Sequence, residues 1–291
     1  MLRDLGHHAS LVMPGEAPRC DLLIALHARK AAPSVFRSHR DDPDRPIAVA
    51  LTGTDLYRDI HADENAKRSL ALAWRLLVLH PGAAAELPVR FRKKVRLVPQ
   101  SAPVPARRTR PSQRAFEVAV VAHLRPEKDP LRTALAARLL PRQSRLVVIH
   151  AGRALTPAMR KAALAEVRKN PRYHWLAEVP RGKARALIAR ARLLAVTSEM
   201  EGGANVVSEA VAAGTPVLAS RIPSMEAILG RSHPGLFPFG DTAALARLLA
   251  RAETDPRFLA GLRRRSIALR PALSPARERA ALRALLAELG R

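Results

Sequence analysis

A single cysteine, Cys20, occurs in the 291 residues. No internal disulfide and no cysteine-rich metal site can form from it, and a reducing, cytoplasmic compartment is the expectation. Aromatic residues are scarce, at 3%, and stacking platforms for nucleic-acid bases need them. Acidic residues are outnumbered, 25 against 50 Lys and Arg, for a formal charge of +25. Such an excess points first to nucleic acid or anionic surfaces. Here the arginines are spread over the whole chain, on the polar faces of Ala- and Leu-rich helices. With so few aromatics, nucleic acid is not expected as a partner, and the charge reads as solvated helix faces plus a field that favours anionic substrates. Apolar runs of membrane-spanning length are missing too; even residues 70–79 are broken by Arg75, so no stable membrane insertion is expected. The opening MLRDLGHHAS has no apolar stretch after its charge and does not read as a signal peptide. No Asp-x-Asp and no His/Asp/Glu cluster with ligand spacing stands out, so neither a metal nor a cofactor is expected.

What the chain does have is length for two ordinary domains and a hydrophobic content of 48%, mostly Ala, Leu and Val. Residues 1–13 read as a helix end running into a strand over 9–13. Residues 21–27 (DLLIALH) have strand length, 34–40 are helical, and 46–51 (PIAVAL) form a buried strand. Residues 70–79 hold a helix and a short strand, 83–91 a short helix, and 95–98 (VRLV) a strand. Apolar strands alternating with helices imply a parallel sheet covered on both faces. Residues 99–113 (PQSAPVPARRTRPSQ) have no apolar period and read as a linker.

A second α/β succession follows. Strands are expected at 116–121, 145–150, 173–177 and 193–196. Helices are expected at 130–140, at 156–170 with Thr156 as cap and Pro157 at its first position, at 183–191, at 241–254, and at 274–289. The domains are therefore residues 1–105, residues 113–273 and a terminal helix, 274–291.

The stretch over residues 197–220, TSEMEGGANVVSEAVAAGTPVLAS, carries the most chemistry. A strand ends at Val196, Glu201-Gly202-Gly203-Ala204 is a turn, and 205–213 are helical up to Gly214, before a new strand at 217–219. Strand, glycine turn and helix start make an anion site. The first helix amides lack intrahelical acceptors, the dipole is positive there, and glycines admit a ligand closely. Glu201 and Glu209 bracket the turn, and with a phosphate on the amides both acids would be expected to accept from hydroxyls. A nucleotide sugar has hydroxyls on both sides of its diphosphate.

This stretch resembles the E-x7-E signature of retaining glycosyltransferases of family 4. The resemblance implies the α/β GT-B fold: two Rossmann-like parallel-sheet domains facing a cleft, with the first lacking its opening strand, and the last helix packing back toward the first domain. It also implies that Glu201 contacts the donor sugar, that Gly202, Gly203, Ala204, Asn205 and Val206 hold the diphosphate, and that Glu209 binds the ribose. The segment VAHLRPEK over 121–128 resembles the family's GRLxPEKG, whose Arg and Lys hold the diphosphate. Lys128 matches the Lys, His123 stands at the Arg position, and Arg125 lies two residues on. A cation there would stabilise the leaving diphosphate as its charge grows. Trp175 to Pro180 resembles the segment whose backbone, at Glu178, binds uracil, and equally reads as a strand end with a packed Trp. Thr52, Gly53, Thr54, Asp55 and Arg58 close a first-domain strand and are candidates for the acceptor; relatives carry a His where Thr52 stands, and Asp55 equally reads as a helix cap. His27 ends a neighbouring strand and reads as a satisfied core histidine. Catalysis is expected to rest on Glu201, Lys128 and Arg125 without metal. Taken together, LTGTDLYRD, HLRPEKDP and MEGGANVVSEA are most similar to the selenosugar synthase subgroup of bacterial selenoneine biosynthesis. That likeness implies a UDP-sugar donor, UDP-N-acetylglucosamine, and a small anionic acceptor, selenophosphate. The alternatives are a sugar or lipid-linked acceptor, a nucleotide-sugar-binding remnant, or a nucleic-acid-binding protein.

Overall fold

The computed structural model describes residues 1–16, 19–105 and 111–290. Residues 106–110 of the expected linker lie outside the described residues. The chain divides into two compact units: Met1–Gln100 with Glu201–Gly203 and Pro275–Arg291, and Ser101–Met200 with Ala204–Ser274.

The first unit begins with a 3-10 turn, Arg3–Leu5. It continues through β1 (Leu23–Leu26), α1 (Ala32–Asp41), β2 (Ile47–Ala50), a π-helical turn Asp55–Asp59, α2 (Ile60–Ala62), α3 (Glu64–Leu72), β3 (Arg75–Val78), two 3-10 stretches (Pro81–Glu86 and Val89–Lys94) and β4 (Val95–Leu97). The strands form one sheet in the order β1-β2-β3-β4, every pair parallel. All four residues of β2 are buried, as an apolar strand between two covered faces must be. Asp63 caps α3, accepting from the Ala66 N–H at 2.8 Å. At the other end of α3, the Lys94 ammonium donates to the carbonyls of Leu70, Ala71 and Ala73, closing acceptors the helix leaves open. Two expectations fail here. Residues 9–13 join no strand, and Leu11 is 90% exposed, so this apolar run has no sheet to pair with. The helix expected over 83–91 is instead two 3-10 stretches, since Pro88 brings no N–H to continue the first.

The second unit runs β5 (Phe116–Val121), a 3-10 turn Pro126–Lys128, α4 (Arg132–Arg138), β6 (Leu146–Ala151), α5 (Pro157–Lys169), β7 (Tyr173–Trp175), α6 (Arg181–Arg190), β8 (Leu193–Val196), α7 (Asn205–Ala213), β9 (Val217–Arg221), α8 (Pro223–Leu229), β10 (Leu236–Pro238), α9 (Thr242–Thr254) and α10 (Pro256–Ala268). Its sheet is also wholly parallel, ordered β10-β9-β8-β5-β6-β7. Alternation along β5 feeds two cores. Phe116, Val118 and Val120 pack with Ala134, Leu249 and Leu262, while Ala119 packs with Leu187, Val207 and Met225. Thr156 accepts from the Met159 N–H at 3.2 Å as the expected cap of α5. Gly214, at φ 73°, stops α7 in a conformation that suits glycine. α8, β10 and α10 are not foreseen from the sequence. β10 has only three residues and ends in Pro238 at the sheet edge, where proline is tolerated but weakens the strand pattern.

The last helix, α11 (Pro275–Leu289), belongs with the first unit. Leu285 and Leu289 are buried with Ala48, Ala50, Leu77 and Val98. Glu288 accepts from Arg75 at 2.7 Å and from Arg96 at 2.9 Å, and these bonds hold its carboxyl at about 2. No helix among the described residues is long and apolar enough to cross a membrane.

Candidate active site

In the second unit the chain leaves β5 toward β6 and β7 on one side, then returns to build β8, β9 and β10 on the other. β5 and β8 are hydrogen-bonded neighbours, so the loops leaving their C-terminal ends lie together where the strand order reverses. In an open parallel sheet this is where ligands bind. The loop after β5 carries His123, Arg125 and Lys128; the loop after β8 leads through residues 197–204 into α7.

Hydrogen bonds stitch these two loops. The Thr197 hydroxyl donates to the carbonyls of Lys128 at 3.1 Å and Asp129 at 2.8 Å. The Glu199 N–H donates to the Glu127 carbonyl at 2.9 Å. Asp129 takes the left-handed conformation at φ 40°, which ends the Pro126–Lys128 turn and leaves Lys128 and Arg125 half-buried. Ala204 is also left-handed, at φ 47°, and α7 begins without a side-chain cap. The amides of Asn205 and Val206 thus open an uncapped helix start, fit to donate to an anion.

Glu209 sits on the first turns of α7, its side chain 10% exposed. Arg185 of α6 donates to its Oε1 at 3.0 Å, and Arg181 stands 3.7 Å from the same oxygen. Neither arginine is foreseen from the sequence. Their i, i+4 spacing on one helix face is the signal that marks them as a pair. His123 is exposed and its Nδ1 accepts from the Arg153 N–H at 3.2 Å. The ring therefore ties the loop after β5 to the loop after β6 and, when neutral, carries its proton on Nε2. Glu178 is exposed, 3.9 Å from Arg153, and follows Ala177, whose φ is 53° and whose carbonyl accepts from the Gly152 N–H at 2.7 Å. The Trp175 indole donates to the Gly152 carbonyl at 2.8 Å, which favours the reading of a packed, satisfied Trp.

The first unit holds the other expected residues. Within it, the Glu201–Gly203 turn lies on the end of β2: a Cβ on Gly202 would come 2.7 Å from the Gly53 nitrogen, and one on Gly203 would meet Leu79 and Gln100. Both glycines are required by this approach, and Glu201 is buried there. Asp55 is fully buried. Its Oδ1 accepts from the Thr52 N–H at 2.6 Å and the Thr52 hydroxyl at 2.7 Å, its Oδ2 from the Ala28 N–H at 2.8 Å. The Asp55 carboxylate thus joins the ends of β1 and β2. Thr54 pairs with His27, Oγ1 to Nε2 at 3.0 Å. Arg58 donates from Nε to Asp59 Oδ1 at 3.1 Å. Burial lowers the His27 pKa, with Asp55 acting the other way. Among the described residues no group of three His, Cys, Asp or Glu could hold a metal ion.

The sequence matches the family model described as glycosyl transferases group 1 over residues 106–268, more than half of the chain. The chain belongs to this family. Solved glycosyltransferases and related enzymes share its fold. Anabaena HepE in complex with UDP is 17% identical with a TM-score of 0.75, over 92% of this chain and 79% of that one. The α,α-trehalose 6-phosphate synthase of Burkholderia multivorans is 14% identical with a TM-score of 0.73, over 92% and 70%. Sucrose-phosphate synthase from Thermosynechococcus elongatus is 20% identical with a TM-score of 0.70, over 92% and 74%. None of the curated proteins matches the sequence. These structural likenesses establish the GT-B fold.

Proposed function

We propose that this glycosyltransferase moves N-acetylglucosamine from UDP-N-acetylglucosamine to selenophosphate, forming a selenosugar. The observation that supports it most is the uncapped start of α7 beside the Lys128 loop, with Glu209 one turn further along the same helix. HepE was solved with UDP, and this constellation suits the same kind of nucleotide. The amides of Asn205 and Val206 would hold the diphosphate, and Glu209 would accept from the ribose hydroxyls. The peptide after Ala177, at Glu178, would face the uracil. Lys128, with Arg125, would balance the charge that grows on the leaving diphosphate as the sugar bond breaks. Glu201 would hold a hydroxyl of the transferred sugar, so that rate derives from positioning and charge stabilisation, without a metal.

A small, multiply charged acceptor accords with the basic chain and with the motifs shared with selenosugar synthases. A lipid-linked acceptor is the second reading, favoured by one observation: Val89 is 73% exposed beside the exposed Arg90, Arg92 and Lys93, as at a membrane surface. A UDP-release assay with UDP-N-acetylglucosamine separates the two. Release with selenophosphate supports the first reading. UDP binding without release for selenophosphate or phosphate, but release with a lipid-linked sugar, would replace it by the second.

A further inference from the structure

We propose that the cavity between the end of α7, one face of α10 and the linker residues Val104, Pro105 and Pro111 is a second binding site, built for an amphipathic anion: a small molecule with an apolar chain and a carboxylate head group. The inference is independent of donor and acceptor, because the cavity lies at the other end of the sheet from the loops described above.

Its place follows from the topology. In the parallel sheet the loops leaving β5 and β8 gather at the C-terminal ends of the strands, and the segments entering β8 and β9 gather at the opposite ends. Arg192 directly precedes β8, and Thr215 and Pro216 directly precede β9. These residues line a cavity of about 970 Å³, within the range of roughly 300–1,000 Å³ that small-molecule sites occupy. Its floor is the ends of two helices, with Ala189 and Ala191 from α6 and its cap and Ala212 and Ala213 from α7. Side chains this short leave the volume open. One wall is a face of α10, where Pro256, Ala260, Arg263 and Ile267 recur at intervals of three and four residues, the spacing that keeps them on one side of a helix. The linker residues form the other wall. Val104 is 61% exposed and Ile267 40%, so both walls carry apolar surface for a ligand to cover.

Charge selects the class of ligand. Arg192, Arg263 and Arg270 line the cavity, and among the described residues no carboxylate does. Asp255, next to Pro256, is turned to the amides of Arg257 and Phe258 as the cap of α10. Two of the arginines hold structure: Arg192 donates to the Ser112 carbonyl at 2.9 Å, and Arg270 donates to the Val211 carbonyl at 3.1 Å, closing α7. Arg263 has no hydrogen bond or ion pair among the described residues. The C-terminal ends of α6 and α7 return roughly half a negative charge each. Against three guanidinium groups the balance stays positive. One unpaired guanidinium suits a head group of one charge, a carboxylate, which its fork can hold through both oxygens. The apolar chain would then cover Leu259, Ile267 and the alanines of the floor.

The test uses decanoate, with acetate as the head group alone, titrated calorimetrically into the full chain. Decanoate should bind, and acetate should not at the same concentrations. Arg263→Ala should weaken decanoate about fivefold or more, the scale of one lost charge-assisted hydrogen bond. Ala260→Trp places a large side chain in the cavity and should weaken it about tenfold or more. Both positions are exposed on α10, so both variants should keep the wild-type melting temperature. Arg160→Ala removes the same charge from an exposed position on α5 and should leave decanoate affinity unchanged. No decanoate binding by the wild type, or equal affinity in wild type and Arg263→Ala, would overturn the site. So would an equal loss in Arg160→Ala, which would trace binding to the overall charge of +25, or acetate binding as tightly as decanoate, which would leave the apolar walls without a role.

Discussion

Arg185 and Arg181, one turn apart on α6, both address a single oxygen of Glu209, at 3.0 and 3.7 Å. The second oxygen, Oε2, takes no hydrogen bond among the described residues. A carboxylate held by one oxygen keeps a fixed direction for the other, which is the condition for accepting from the vicinal hydroxyls of a ribose. Glu209→Ala should lower UDP affinity about tenfold or more, and Arg185→Ala by about threefold, the range of one lost charge-assisted hydrogen bond and of a loosened one. Both losses should shrink when 2′,3′-dideoxyuridine diphosphate replaces UDP in the titration. Equal losses with both nucleotides would mean that Glu209 and Arg185 only pack α6 against α7.

On the proposed reading Lys128 serves the diphosphate rather than the nucleoside, and its turn is pinned to the loop leading into α7 by Thr197. Lys128→Ala should reduce kcat by roughly a hundredfold, the scale for removing one group that stabilises developing charge, with little change in uridine affinity. Steady-state rates measured beside uridine binding check this. Equal decline in both would show that Lys128 binds the ground state only.

Asp55 is bonded as a structural carboxylate. Its carboxylate satisfies two buried backbone N–H groups and one hydroxyl, and replacing it would orphan them. Asp55→Ala should cost about 3 kcal/mol or more in a urea unfolding experiment. A variant of unchanged stability with a raised acceptor KM would restore the acceptor role instead.

Much of the fold is legible in the residues. The bounds read for β5, β8 and α7 coincide with those observed, because Phe116 opens a mostly apolar run, Leu193 opens another directly after Arg192, and Gly214 suits the left-handed stop of a helix. The strand expected at 9–13 was not legible as a loop, since an apolar run looks alike whether or not a partner strand exists. The site is harder to read for the same reason. Glu209 stands out by its spacing from Glu201, but Arg185 reaches it from another helix. Asp55 looks the same in sequence whether it faces solvent or the backbone of residue 28. The left-handed turn at His27, at φ 79°, has no sequence signal, because the residue is not glycine.

Acid should weaken the fold through three buried histidines. His80, His150 and His233 each have a pKa lowered to about 4, chiefly by burial. His80 pairs through Nε2 with the Tyr57 hydroxyl at 2.9 Å, and His150 pairs with Tyr173 and the Ala122 carbonyl. In the unfolded chain each titrates near 6.5. Between the two values the unfolded state binds the protons and the folded state does not. Stability present above about pH 6.5 is therefore lost as pH falls toward 4, by up to on the order of 3 kcal/mol per histidine. Urea midpoints at pH 7.5, 5.5 and 4.5 should decline in that window, and His150→Gln should flatten the decline. Midpoints constant over the window would exclude this account.

Gly152 joins fold to site most directly. A Cβ there would lie 1.7 Å from the Ala122 carbonyl oxygen and 3.0 Å from the His123 nitrogen, and both obstacles are backbone. Its N–H and carbonyl also serve Ala177 and Trp175, so the ends of β5, β6 and β7 meet at this residue. Gly152→Ala cannot be absorbed by a rotamer change. It must push the loop after β5 away from the loop after β6, breaking the bond from Arg153 to His123 and shifting the peptide before Glu178. The variant should lose about 2–4 kcal/mol of stability and weaken UDP binding at temperatures where it is still folded. The same substitution at Gly182, where nothing lies within 4 Å of a Cβ, should leave both unchanged or raise stability slightly. Thermal unfolding and UDP titration on the two variants decide it. Should Gly152→Ala unfold and bind UDP as the wild type does, the close approach of these loops would not constrain the uracil side of the site.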